Sequence, residues 1–167
     1  RKFAVKAALL VALLVACDRL GGALAEHWYF KTRDGDTGGE INALLEKRAE
    51  VLVFGDSRAE SHYVPDVLAA NLQTTAFNAG YKGANTLYDY ALEQLVFDYY
   101  TPKLIVYDFS PYSLRSDENP YTRLYPLHPY WRNEHLWKLI AQGGTIQRLS
   151  FLSRLYPYNS KIHSILL

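Results

Sequence analysis

Val51-Leu52-Val53-Phe54-Gly55-Asp56-Ser57-Arg58-Ala59-Glu60-Ser61-His62, "VLVFGDSRAESH", decides how the rest of the chain is read. A short, continuous apolar run that stops at a glycine predicts a buried strand ending in a turn. Gly55 lets that turn be tight. A turn alone would explain the pattern. A second explanation is chemical. A serine between a strand and a helix holds its hydroxyl at the open edge of a sheet, over the free N–H groups of the helix start. Such donors stabilise a developing oxyanion. Ser57 is therefore a candidate nucleophile, with Asp56 as support for the turn. Arg58 is a candidate for steering an anion, or else the partner of Asp56, Glu60 or Asp108. The Gly-x-Ser-x-Gly elbow of the α/β-hydrolases is not matched, because Ala59 fills its last place.

The segments that follow predict alternation. Strands are expected at 50–54, 74–78 and 103–107, with the first and third apolar enough for a sheet covered on both faces. Between them, Pro65 to Leu72 carries Val67, Leu68 and Leu72 at helical spacing, with Pro65 suited to a first turn. Asn85 to Tyr100 repeats Leu87, Tyr88, Ala91, Leu92, Leu95, Val96 and Tyr99 at three- and four-residue steps, and Pro102 stops it. Strand, helix, strand, helix, strand implies parallel pairing. The expected class is α/β: a three-layer, flavodoxin-like parallel sheet with a hydrophobic N-terminal helix. Ligands bind such sheets at the carboxyl ends of the strands. Those ends here are Gly55 to Arg58, then Asn78 to Gly83, then Asp108-Phe109-Ser110. Three strands are few for this architecture. The chain begins at Arg1, contains no Met and stops at Leu167 inside an apolar pattern. It is therefore expected to be a piece of a longer protein, incomplete at its C-terminus.

Gly55-Asp56-Ser57 after an apolar strand, and "NAGYKG" from Asn78 to Gly83, resemble the first two blocks of the SGNH (GDSL-type) hydrolases. More closely, the chain resembles a bacterial membrane-anchored subgroup, with a hydrophobic N-terminal segment, a Gly-[Ser/Asp]-Ser-Arg turn and an Asn-x-Gly-x-x-Gly loop. "TPKLIVYD" and "LSRLYPYNS" also resemble it, so the likeness spans most of Asp18 to Ser160. The resemblance implies a serine esterase or O-acyltransferase acting on ester-bearing cell-envelope glycans or lipids without a cofactor. It implies Ser57 as nucleophile and the Gly83 N–H as an oxyanion donor, with Asn78 and His62 near the cleft. Two departures stand out. The family's third block has an asparagine where this chain has Asp108-Phe109-Ser110-Pro111-Tyr112. Its Asp-x-x-His, which supplies the base, does not occur in these residues, and a serine without a base is a poor nucleophile. His62, five residues after Ser57, is a substitute base or a rim residue bonded to backbone. The alternative is a non-catalytic envelope protein that keeps the fold for binding or assembly. A phosphate binder using Gly55 to Arg58 is a further reading.

"RKFAVKAALLVALLVACDRLGG" places Arg1, Lys2 and Lys6 around an apolar run from Ala7 to Cys17. Such a run suits the core of a signal peptide. Leu14-Val15-Ala16-Cys17 also resembles a lipobox, which would make Cys17 a lipidation site. A signal anchor from about Phe3 to Leu24 is the third option, and a buried core helix the fourth. The basic start favours a cytoplasmic N-terminus with the remainder outside the cytoplasmic membrane. The expected organisation is a membrane segment over 1–25, a polar linker and short helix over 26–49, and an α/β domain over 50–167. His27-Trp28-Tyr29-Phe30 would suit a membrane interface.

A net charge of +1 argues against nucleic acid as a partner. The Asp34 to Gly39 loop lacks the alternating ligands of a calcium site. His128, His135 and His163 lack zinc spacing, so no metal is expected. From Pro111 onward, tyrosines and tryptophans alternate with Arg115, Arg123 and Arg132. This predicts a proline-punctuated helical cap over 111–167, with sugar stacking as an alternative. Leu149, Leu152 and Leu155 recur at three-residue steps and predict one buried face.

Overall fold

A computed structural model describes residues 2–34, 39–109 and 117–161. The chain is mixed α/β and mostly helical, built on a small parallel sheet. Helix α1 spans Lys2–Tyr29 and α2 Gly39–Lys47, followed by strand β1, Val51–Gly55. Helices α3, Ser57–His62, and α4, Pro65–Leu72, lead to β2, Ala76–Asn78. Helix α5, Thr86–Tyr99, leads to β3, Leu104–Asp108. The remainder is a 3-10 segment Pro120–Tyr130, α6 at Glu134–Ile140, α7 at Thr145–Ser150 and a 3-10 segment Tyr156–Lys161.

The three expected strands form, each one or two residues from the expected bounds. Their order is β2-β1-β3, all parallel, with Val53 opposite both Asn78 and Val106. β1 is central, and Leu52, Val53 and Phe54 have no exposed surface. Each such side chain contributes roughly 1.5–3 kcal/mol by leaving water. β3 departs from expectation. It is an edge strand of this sheet, half-covered rather than enclosed, with Leu104 exposed. Composition cannot separate these two cases, because it reports the apolar character of a strand and not its neighbours.

α5 forms where its periodicity predicted, with Asn85 as cap: its side chain accepts from the Tyr88 N–H at 2.9 Å. Tyr88, Ala91, Leu92, Leu95 and Val96 are buried. They meet Leu124 and Leu127 of the proline-rich 3-10 segment within one core that also takes Leu44, Leu136 and Ile140. Pro126 and Pro129 lie inside that segment and supply no N–H. The expected cap therefore packs on the fold over the residues described.

Two expectations fail at the N-terminal side. The helix does not give way to a linker at Glu26 but continues to Tyr29. Tyr29 is no interfacial ring: it is 1% exposed, and packs edge-on to Tyr130 and beside Tyr158. Its backbone carbonyl accepts from the Asn42 side chain at 2.8 Å, and Asn42 in turn accepts from the Tyr130 hydroxyl. A third failure is Leu149 and Leu152, which are exposed, not buried; Leu155 is half-buried. The inward positions around α7 are Gln147, Ser150 and Phe151 instead.

α1 has two halves. In the second, Gly22, Ala25 and Tyr29 are buried against the domain while Leu20, Leu24 and Trp28 face outward; in the first, Phe3, Leu9, Leu10, Leu13 and Leu14 are exposed. Among the described residues, no helix is long and apolar enough to cross a membrane. The uninterrupted run Ala7–Cys17 rises only about 16 Å.

A candidate site at the carboxyl edge of the sheet

From β1 the chain moves to β2 on one side, and from β2 it crosses to β3 on the other. The direction reverses at β1, and the carboxyl ends of β1 and β3 lie side by side at the position where open α/β sheets bind ligands. Gly55 begins the turn there with φ +144°. A Cβ on it would lie 2.8 Å from the Asp108 carbonyl oxygen and 2.9 Å from Ala59 Cβ, so only glycine fits. Asp56 caps α3 by accepting from the Arg58 N–H at 2.9 Å. Ser57 is the first residue of α3 and is exposed.

Arg58 reaches across to β3 and donates to the Asp108 carboxylate at 2.7 Å. Asp108 is buried and Arg58 about half exposed. Of the roles that Arg58's sequence allowed, the ion pair with Asp108 is the one formed. His62 lies one turn further along α3, exposed, with Nδ1 2.9 Å from the Arg58 carbonyl oxygen. That carbonyl accepts, so Nδ1 carries the proton and the Nε2 lone pair faces away from the bond. This is the backbone-bonded role.

Asn78 does not face a ligand. Its amide nitrogen donates to the carbonyls of Ala59 at 2.7 Å and Tyr63 at 2.9 Å, closing the C-terminal end of α3. Its oxygen accepts from the Gly80 N–H at 2.9 Å. Gly80 in turn lies against α3, where a Cβ would come within 2.5 Å of the Glu60 nitrogen. The second loop is thus joined to the first through Asn78, Gly80 and the Tyr81 N–H, which donates to the Gly55 carbonyl at 3.0 Å. Gly83 lies two residues beyond, at φ +84°, beside the Arg123 guanidinium. Ser110, Pro111, Tyr112, Arg115 and His163, and most of the Asp34–Gly39 loop, lie outside the described residues.

Sequence reasoning missed Asp89. It is buried on α5, and one of its oxygens has no hydrogen-bond partner among the described residues. Burial pushes its carboxyl up to about 7, the nearby Asp56 charge adds to the rise, and the Gly55 N–H opposes it. The missed signal was periodicity: Asp89 falls on the same stripe as Tyr88, Leu92 and Val96. Beside it, Glu93 accepts from the Tyr107 hydroxyl at 2.7 Å. Burial, then Glu93, holds that phenol well above its ordinary value.

An open depression of about 340 Å³ adjoins α3, lined by Glu40, Glu60, Tyr81, Lys82 and Tyr125. Glu60 is three residues from Ser57, on the same side of the helix. The Tyr81 and Tyr125 hydroxyls bond to each other. The buried Lys161 ammonium sits 5.1 Å from the Tyr125 ring centroid, and burial lowers it to about 8. Several of the described cap cations and histidines have partners within the fold. Arg132 meets Glu26, and His135 meets Asp98. The His128 ring lies among Phe151 and Tyr156. Among the described residues no group of three acidic, histidine or cysteine side chains is placed to hold a metal. Compared with protein-family models, curated proteins and solved structures, the chain matches none of them.

Proposed function

We propose that the chain belongs to an SGNH-like serine ester hydrolase or O-acyltransferase acting on cell-envelope glycans or lipids. The observation that carries this reading is the seat of Ser57. It is exposed at the switch point, one residue beyond a turn that Gly55 and Asp56 fix. The 2-1-3 strand order supports flavodoxin-like layering, since that order begins with the same three strands. In the reaction, Ser57 Oγ adds to the ester carbonyl and its proton passes to a base. The tetrahedral intermediate collapses, releasing the alcohol and leaving an acyl-serine. Water, or an acceptor hydroxyl in the transferase case, then takes the acyl group. The Gly83 N–H would hold the oxyanion. The base would be the His of an Asp-x-x-His block outside these residues. The exposed apolar residues of α1 support attachment to a membrane surface, with Lys2 and Lys6 suited to its headgroups. In the alternative to attachment through the first half of α1, the chain is cleaved before Cys17 and that exposed cysteine carries the lipid.

The test is labelling of the full-length protein with a fluorophosphonate serine probe. An adduct on Ser57 that disappears in Ser57→Ala is expected. Failure to label, while a control esterase labels, would overturn the nucleophile assignment. It would leave a non-catalytic envelope protein as the reading. Two observations favour that second reading: the Arg58–Asp108 pair ties α3 to the end of β3 beside Ser57, and Asn78 is consumed in closing α3.

A further inference from the structure

We infer that the surface carrying Ile146, Leu149 and Leu152 is a membrane-contact face, resting in the headgroup–acyl boundary beside α1. The inference rests on the membrane reading of α1 and adds the orientation of the domain on the bilayer.

The first observation is an inverted pattern. Ile146, Leu149 and Leu152 are 83%, 58% and 67% exposed, while Phe151 between them is buried among Trp131, Trp137 and His128. Residues three apart share one side, so this side is an apolar stripe turned away from the core.

The second observation says what lies next to it. The Asp18 carboxylate of α1 accepts from the Ser153 hydroxyl, from the Arg154 N–H at 3.0 Å and from the Leu155 N–H at 3.3 Å. A Cβ on Gly22 would lie 2.5 Å from the Arg154 carbonyl carbon, so glycine alone allows the two backbones to meet. Further on, Arg154 pairs with Glu26 at 3.1 Å, and the Tyr158 ring lies 5.7 Å from Tyr29. Residues 153–158 therefore run along α1 in its own direction, from Asp18 toward Tyr29. Leu152 stands at the Asp18 end, where α1 leaves the domain; the exposed apolar residues of α1 lie on both sides of that point, Leu13 and Leu14 before it and Leu20 and Leu24 after it.

Length supplies the third argument. Phe3 to Cys17 rises about 22 Å, too little for an acyl layer of about 30 Å, so α1 lies in the boundary and not across it. Asp18 stays at that boundary, because it is ionised and held by three bonds; those bonds keep its carboxyl below the usual range. Leu152, next to the Asp18 clasp, lies at the same level. Arg19 and Arg148 are exposed on these same two segments and complement anionic headgroups. The occupant of this face is thus the lipid surface.

The experiment uses the full chain with Cys17→Ala, in vesicles of phosphatidylethanolamine and phosphatidylglycerol. Single cysteines replace Leu149, Leu152, Leu10 or Leu72, each carrying an environment-sensitive fluorophore. Leu72 is an exposed control on α4, on the β2 side of the sheet. Labels at Leu149 and Leu152 are expected to shift to the blue and lose emission to lipids spin-labelled near the headgroup, with Leu72 unchanged. If Leu10 is quenched while Leu149 and Leu152 behave like Leu72, α1 is an anchor and the contact face is overturned. If Leu149 and Leu152 are quenched without Leu10, the face stands and the anchor reading falls. If none is quenched, both fall.

Discussion

α5 and α7 carry the same sequence signal and meet opposite fates. On α5, Leu92, Leu95 and Val96 recur at three- and four-residue steps and are at most 1% exposed. On α7 and the turn after it, Ile146, Leu149 and Leu152 recur at three-residue steps and are mostly exposed. Periodicity states that one side of a helix is apolar. It does not state whether protein, lipid or water covers that side. Length and neighbours decide. α5 has fourteen residues and lies between the sheet and the proline-rich segment. α7 has six, and its inward contacts are taken by Gln147, Ser150 and Phe151.

The comparison can be broken by substitution. Leu92→Ala should cost the most, about 2–5 kcal/mol, because it opens a cavity in a packed core. Urea unfolding of the full chain measures it. A loss under about 0.5 kcal/mol would mean that α5 is no more enclosed than α7.

Asp89→Asn sharpens the comparison, because Asp89 is the carboxylate on the buried stripe of α5. Its folded carboxyl titrates near 7 against an unfolded value of 3.8, so between these pH values the folded state holds the extra proton. The sign follows from linkage. This group stabilises the fold below the unfolded value, and that contribution is lost as pH rises toward 7. The paired carboxylates Asp18, Glu26 and Asp98 act in the opposite direction, but only in the acid range where they protonate. Buried His128, lowered to about 4 from 6.5, also opposes Asp89, and it does so between about pH 4 and 6.5. The two nearly cancel, so the wild-type urea midpoint should change little between about pH 5 and 6.5. Asp89→Asn should leave His128 unopposed and make the midpoint rise with pH over that window, and an unchanged profile would remove Asp89 from it.

Leu149→Ala should give the smallest effect, within about 0.5 kcal/mol, because that side chain packs on little. Thermal unfolding in detergent-free buffer checks it. A cost approaching that of Leu92→Ala would mean that Leu149 is buried in the folded protein.

Much of the scaffold was legible. A glycine after an apolar run marked the end of β1, Asn85 and Pro102 bracketed α5, and the alternation of elements implied a parallel sheet. The site was legible in part. Gly55 and Asp56 carry their turn roles in local chemistry, and the Arg58–Asp108 pair was among the partners that charge alone permitted. Asn78 was not legible as a clamp on α3, because its partners are backbone carbonyls of residues 59 and 63, which sequence does not bring near. Asp89 was legible only by asking which acid shares a stripe with leucines. Tyr29 was assigned to an interface because an aromatic beside an apolar segment suits water–lipid boundaries and protein cores equally well.

By itself, the sequence determined the local conformations: where strands stop and where helices start. These depend on a residue and its near neighbours, through sterics and capping. Only the tertiary structure decided what covers each apolar side, which carboxylate is desolvated and which amide becomes a clamp. Those outcomes depend on partners far along the chain, such as Asp18 with Ser153, and on the loss of water that their meeting brings.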